Sequence, residues 1–316
     1  MVEDYPSMRL KVLGSNGPDI SVIGFGAWEI SVDESSVAAD RAIDAIRAGV
    51  EAGMTWIDTA EVYGMGRSEE LVARALEDRP DILVCTKIWH GVHGALTRDV
   101  MRAAAEASLD RLGRDAIDLY LLLEADPTRA VENTWETMAA LAEDGLVGAV
   151  GVCNFPAELV RRCERVRHVD AVQNQFSLIH RDEHAALSAH CARFGTTFIA
   201  YGPLALGLLT GKTSFADTSW GQGKTFDQLS AYQRSLFGSD VLQRHLAYVE
   251  RLQVVANGAG LPLAQVALAW VTLRDEFTVA IAGSTSAGNT RANAAAGSLR
   301  LEPSVMAELD ARRISD

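Results

Sequence analysis

The feature that most constrains this chain is a strand-then-helix alternation that repeats eight times with no break in composition. Short apolar runs at 22–26, 54–58, 82–86, 117–123, 146–152, 171–175, 197–201 and 278–282 read as strands, each followed by helical segments. In the first such segment, 37–52, Ala42, Ile43, Ile46 and Val50 share one face, and Gly53 ends the pattern. Later helices are expected at 68–77, 98–112, 129–143, 156–166 and 182–194, then from 286, and finally at 302–313. Ahead of them, 11–14 and 20–22 read as a hairpin across the 14–17 turn, placed to close the bottom of a barrel. The pattern predicts a closed parallel (β/α)8 barrel of the TIM type, with 1–316 as a single domain. The alternative, an open doubly wound sheet, usually carries a GxGxxG turn after its first strand. Gly24-Phe25-Gly26-Ala27-Trp28 is not that turn. The main interruption is 210–239, a long Gly-, Ser-, Thr- and Asp-rich loop after the seventh strand, where barrels build binding lids.

With 316 residues, 48% of them hydrophobic, the chain can bury one large core. A net charge of −13 with no clustering of Lys and Arg speaks against nucleic acid or an anionic membrane as a partner. The four cysteines, Cys85, Cys153, Cys163 and Cys191, form no CxxC pair, metal spacing or disulfide framework, which suits a reducing cytoplasm. The N-terminus lacks the apolar run of a signal peptide. The uncharged stretch 254–273 is broken at Gly260-Leu261-Pro262 and reads as two helices rather than a membrane span. No pattern sets an oligomeric state.

In a (β/α) barrel the chemistry sits at the C-terminal ends of the strands. The second strand runs into Asp58-Thr59-Ala60-Glu61-Val62-Tyr63, and the third into Thr86-Lys87-Ile88-Trp89. A carboxylate, a phenol and an amine therefore converge on one mouth. A phenol is a poor acid at neutral pH, but a nearby ammonium lowers its pKa, and a carboxylate holds that ammonium charged. Such a trio can protonate an alkoxide formed by hydride transfer. Singly, a Tyr after a strand is commonly a packing residue and a Lys there is commonly solvated. Their placement on adjacent strand ends favours the catalytic reading.

Over nearly its whole length the sequence resembles the aldo-keto reductase family. The resemblance rests on Leu13-Gly14 through Gly24-Phe25-Gly26, on Ile57-Asp58-Thr59-Ala60-Glu61-Val62-Tyr63-Gly64, and on Gly151-Val152-Cys153-Asn154-Phe155. It continues through Val172-Gln173-Asn174-Gln175, Ala200-Tyr201-Gly202-Pro203-Leu204, and Ala282-Gly283-Ser284 with Asn293. The resemblance implies Tyr63 as proton donor, Lys87 as its tuner and Asp58 as the partner of Lys87. It implies Asn154 and Gln173 on the nicotinamide carboxamide and Tyr201 stacked on the nicotinamide. Gly26, Gly202, Leu204, Gly283, Ser284, Thr285, Asn289 and Asn293 would line the rest of the cofactor, and Trp28 and Trp89 would wall the substrate pocket, although barrel packing explains Trp28 as well.

Three departures matter. The family usually completes a tetrad with His at the end of strand four, in a segment like LLHWPDP. Here Leu121-Leu122-Leu123-Glu124-Ala125-Asp126-Pro127 puts Leu123 at that position. Leu123 cannot orient a carbonyl. By strand alternation Glu124 should face away as a surface residue. His90 is a candidate substitute, although His90 and His93 read equally as loop residues. Cys153 stands where the family commonly has Ser. The cofactor site near the last strand offers Gly283, Ser284, Thr285 and Asn289, with Arg291 the only nearby cation. NADP(H) is implied by the resemblance, with NAD(H) as the alternative. The reading is a reductase acting on a small-molecule carbonyl or conjugated C=C. The alternatives are non-redox acid–base chemistry on the same barrel and a cofactor sensor, and the tuned trio argues against the sensor.

Overall fold

The computed structural model describes residues 7–31, 33, 35–217 and 228–314. A two-stranded antiparallel hairpin, β1 (Leu10–Val12) and β2 (Asp19–Ser21), precedes the barrel. The eight barrel strands are β3 (Ile23–Gly26), β4 (Trp56–Asp58), β5 (Leu83–Ile88), β6 (Ile117–Leu122), β7 (Val147–Cys153), β8 (Ala171–Gln175), β9 (Thr197–Tyr201) and β10 (Thr278–Ala282). All pair in parallel and in chain order, and β10 returns to β3 with Ala280 opposite Ile23, which closes the cylinder. The strands are buried on both faces, which is why they read as near-continuous apolar runs rather than alternating ones.

Two cores result. Inside the cylinder, Trp56, Cys85, Leu119, Leu121, Ile199, Val279 and Ile281 pack together, and Leu13 and Ile20 of the hairpin join them from below. Gly24 makes room for this layer, because a Cβ there would lie 2.4 Å from the Trp56 ring. The hairpin turn is tied to the base by the Gly14 amide, which donates to Thr197 Oγ1 at 2.7 Å. Outside the cylinder a second apolar core fills the space between strands and helices. The helices begin and end where local chemistry favours it. Arg98–Leu112, for example, starts at Thr97, whose side chain accepts from the Val100 amide, and stops at left-handed Gly113.

Two expectations need correction. Strand β5 spans Leu83–Ile88 rather than 82–86, so Lys87 lies within the strand and is buried. The stretch 210–239 is not loop throughout: Ala231–Phe237 is a helix, opened by a reciprocal capping box between Ser230 and Gln233. Positions 218–227 of that stretch lie outside the described residues. The uncharged stretch 254–273 covers the end of one helix, Leu242–Gly258, and the whole of the next, Leu263–Thr272, which meet at 89°. Among the described residues no single helix is long and apolar enough to cross a membrane.

Candidate active site

The C-terminal ends of the strands open into a cavity of about 1000 Å³. Asp58, the last residue of β4, and Lys87 in β5 meet at its floor. Lys87 Nζ donates to Asp58 Oδ1 at 2.6 Å, to the Thr59 carbonyl at 2.8 Å and to the Tyr63 hydroxyl at 3.5 Å. The pair is almost fully buried, with side chains 0% and 2% exposed. Tyr63 reaches it from a tight corner in which Gly64, Met65 and Gly66 all take positive φ. That corner is anchored from below, where Thr59 Oγ1 donates to Ser68 Oγ, which donates to the Ala27 carbonyl.

The electrostatics keep the phenol neutral and the amine charged. Burial opposes the charge of Lys87, but Asp58, followed by Tyr63, more than offsets it and holds the ammonium above its ordinary range. For Tyr63, burial pushes the phenol up; Lys87 pulls it down, but by less, and Asp58 adds to the rise. The sequence-based expectation of a lowered phenol therefore identifies the right neighbour but not the dominant effect. A buried hydroxyl loses more from desolvation than one ammonium at 3.5 Å returns.

All eleven residues expected at the cofactor line this cavity: Gly26, Asn154, Gln173, Tyr201, Gly202, Leu204, Gly283, Ser284, Thr285, Asn289 and Asn293. Several of the polar ones, Gln173, Asn154, Tyr201 and Ser284 among them, also bond within the protein. Gln173 Nε2 donates to Asp58 Oδ2 at 2.6 Å, which ties one wall of the cavity to the buried ion pair on its floor. Asn154, in the left-handed region, donates to the Leu123 carbonyl at 3.1 Å and accepts from the Tyr201 hydroxyl at 2.9 Å. Cys153 also lines the cavity; burial pushes its thiol up to about 12, so it acts as a weak neutral donor, 3.6 Å from Gln173 Oε1.

At the substrate end, Trp28 and Leu123 line the cavity. Trp28 is 38% exposed there, whereas Trp56, Trp135 and Trp270 are buried. Trp89 and His90 are not among the lining residues. The Trp89 indole folds over Gly91 and donates to Glu124 Oε2 at 3.0 Å, and His90 Nε2 faces the same carboxylate at 3.7 Å. Glu124 is an exposed residue, as expected, and its carboxylate also borders the cavity mouth. The reason is local: β6 stops at Leu122 and the chain bends, so strand alternation no longer governs the next two side chains. His93 turns to Glu61, 2.9 Å away.

The cavity also holds residues that the sequence reading missed. Lys212 and Tyr232 line it, while Arg291 pairs with Glu51 at 3.2 Å and is not a lining residue. Lys212 comes from the polar connection after the seventh strand, far in sequence from the last strand, where a cation for the cofactor is expected. The Ser230-x-x-Gln233 capping signature was the available signal for the helix that carries Tyr232. Among the described residues no His, Cys, Asp and Glu cluster is arranged to hold a metal.

The walls suit a dinucleotide. Gly26 and Gly283 approach so closely that a Cβ on Gly283 would lie 2.7 Å from the Gly26 carbonyl, leaving bare backbone at the rim. Beyond them the Ala287–Ala295 helix points its N-terminus, capped by Ser286, at the Ser284 and Thr285 turn, an arrangement that favours an anion. Ala205, Leu206 and Gly207 take successive positive φ on the opposite rim.

Known proteins share this architecture. The sequence model of the Aldo/keto reductase family matches residues 22–314. A thermostable aldo-keto reductase, Tm1743, solved with the inhibitor epalrestat, is 27% identical with a TM-score of 0.76, covering 96% of this chain and 99% of that one. An aldo/keto reductase from Klebsiella pneumoniae, solved with NADP and acetate, is 27% identical with a TM-score of 0.74, over 95% of this chain and 94% of that one. A glycerol dehydrogenase from Gluconobacter oxydans, 24% identical with a TM-score of 0.81 over 98% of this chain and 95% of that one, shares the fold. With its barrel, the sequence segments and the family match in agreement, the chain belongs to the aldo/keto reductase family.

Proposed function

We propose that the chain, acting as one domain over 1–316, is an NAD(P)H-dependent oxidoreductase that reduces a small-molecule carbonyl or conjugated C=C, with Tyr63 as proton donor. The observation that carries this reading is a neutral phenol on the floor of the cavity, with a buried, charged Lys87 3.5 Å away and Asp58 behind it. When bound, the nicotinamide supplies or accepts the hydride. Tyr63 gives its proton to the developing alkoxide, and Lys87 stabilises the phenolate left behind. Asp58 keeps Lys87 charged and in place, and Gln173 holds the second oxygen of Asp58.

For the cofactor, NADP(H) is the first choice. The Klebsiella pneumoniae relatives were solved with NADP and with NADPH. Here Ser284, Thr285 and Asn289 offer hydrogen bonds at a helix N-terminus, and Lys212 adds a cation to the cavity. A second reading, non-redox acid–base chemistry on a bound nucleotide, draws on one observation: apolar Leu123 lines the cavity at the position of the family's tetrad His.

Calorimetric titration with NADPH and NADH, followed by single-turnover reduction of a generic aldehyde, tests the proposal. Tyr63→Phe should keep the NADPH Kd within about twofold and lower turnover by about 10²–10⁴-fold. Binding of neither nucleotide would sink the assignment. Tight binding without hydride transfer would leave the acid–base reading in its place.

A further inference from the structure

The Tyr232 hydroxyl is buried and has no hydrogen-bond partner among the described residues. It belongs to the helix Ala231–Phe237 and lines the same cavity as Tyr201, Gly202 and Lys212. Its oxygen lies against Gly202, so close that a Cβ there would be 2.0 Å from it. The ring has a packing role, meeting Tyr201 edge-on with centroids 5.8 Å apart. The hydroxyl adds nothing to that contact, and a phenylalanine would make it equally well. Of the neighbouring polar groups, Ser235 Oγ donates to the Tyr232 carbonyl, the Tyr201 hydroxyl donates to Asn154, and the His180 ring, its centroid 6.1 Å from that of Tyr232, makes no hydrogen bond to the phenol.

A buried O–H without an acceptor carries a desolvation cost that the folded chain does not recover by itself. On the wall of a ligand cavity, the missing acceptor is most simply an atom of the ligand. The surroundings suit an oxygen that carries negative charge. Beyond Gly202 the rim turns through the left-handed residues Ala205, Leu206 and Gly207, and the Lys212 side chain packs against Gly207, which brings a cation to this part of the cavity.

Resting on the nicotinamide reading above, we propose that Tyr232 is a cofactor-contacting residue whose O–H donates to an acceptor oxygen of the bound dinucleotide beside Gly202. Its ring braces Tyr201 at the same time, so one side chain links the wall expected to stack on the nicotinamide to the grip on the rest of the cofactor.

Tyr232→Phe tests this, because it removes the hydroxyl and keeps the ring. Two readouts are needed: the Kd for NADPH by calorimetry, and the Tm of the cofactor-free protein. The expected result is NADPH binding weakened about 3- to 10-fold, with the free protein as stable as the parent or slightly more so. That opposite pair separates a ligand contact from a structural one. An unchanged Kd overturns the proposal, as does a lower Tm of the free protein, which would mean that the hydroxyl has a partner within the fold. If the parent itself binds no nucleotide, the nicotinamide reading falls first, and this contact falls with it.

Discussion

Replacing Lys87 by Met should destabilise the protein far more than its small change in volume suggests. The ammonium is fully buried and makes its closest bond, 2.6 Å, to Asp58 Oδ1. Removing it leaves Asp58 in the barrel interior with Gln173 Nε2 and the weak Cys85 thiol as its remaining side-chain donors. Breaking a buried ion pair on one side costs about 3–5 kcal/mol. Unfolding entropy is about 2.1 cal/mol/K per residue, or about 0.7 kcal/mol/K for 316 residues, so Tm should fall by about 4–8 °C. Thermal melts by circular dichroism read this directly. The double variant Asp58→Asn with Lys87→Met should regain at least half of the loss, since the orphaned charge is gone and Gln173 still has an acceptor. A single variant within about 1 °C of the parent, or a double variant no more stable than Lys87→Met, would refute the view that the two residues are held in the interior as a pair.

The other predictions can be checked on the same set of purified variants. Leu123→His should raise aldehyde turnover with NADPH at an unchanged cofactor Kd, measured in steady state; no gain would favour non-redox chemistry. Lys212→Ala should weaken NADPH about tenfold in calorimetry, the size of one charge-assisted contact, while Arg291→Ala, whose guanidinium is already paired with Glu51, should stay within twofold. Burial lowers His180 from an ordinary 6.5 to about 4, so between those values the unfolded chain binds the extra proton. Stability should therefore fall as pH drops from about 6.5 to about 4, by about 1–3 kcal/mol, and His180→Gln should flatten that slope in urea melts.

Much of the barrel was legible because its strands are apolar runs cut off sharply by polar or glycine-containing turns. The runs 171–175, 197–201 and 278–282 coincide with β8, β9 and β10 to the residue. That Asp58, Tyr63 and Lys87 would meet was equally readable, since strand ends fix where Asp58 and Lys87 emerge. What sequence could not supply was the course of the chain once regular structure stops. Glu124 stays exposed but borders the cavity mouth because β6 ends two residues before it, one residue earlier than the apolar run suggests. Trp89 leaves the cavity wall because it finds a carboxylate in a neighbouring loop, a contact between segments 35 residues apart. The balance that keeps Tyr63 neutral depends on the depth of burial, which no residue spacing encodes.

Trp28 has a practical consequence. Among the described residues it is the partly exposed indole on the cavity wall, whereas Trp89 lies off that wall against Glu124 and Trp56, Trp135 and Trp270 are buried. The protein thus carries a built-in optical probe at its mouth, whose red-edge emission should report ligand arrival while the interior indoles supply a constant blue background. Trp28→Phe should leave that background intact and silence much of the ligand-dependent signal, turning a bulk fluorescence change into a reading from one known position.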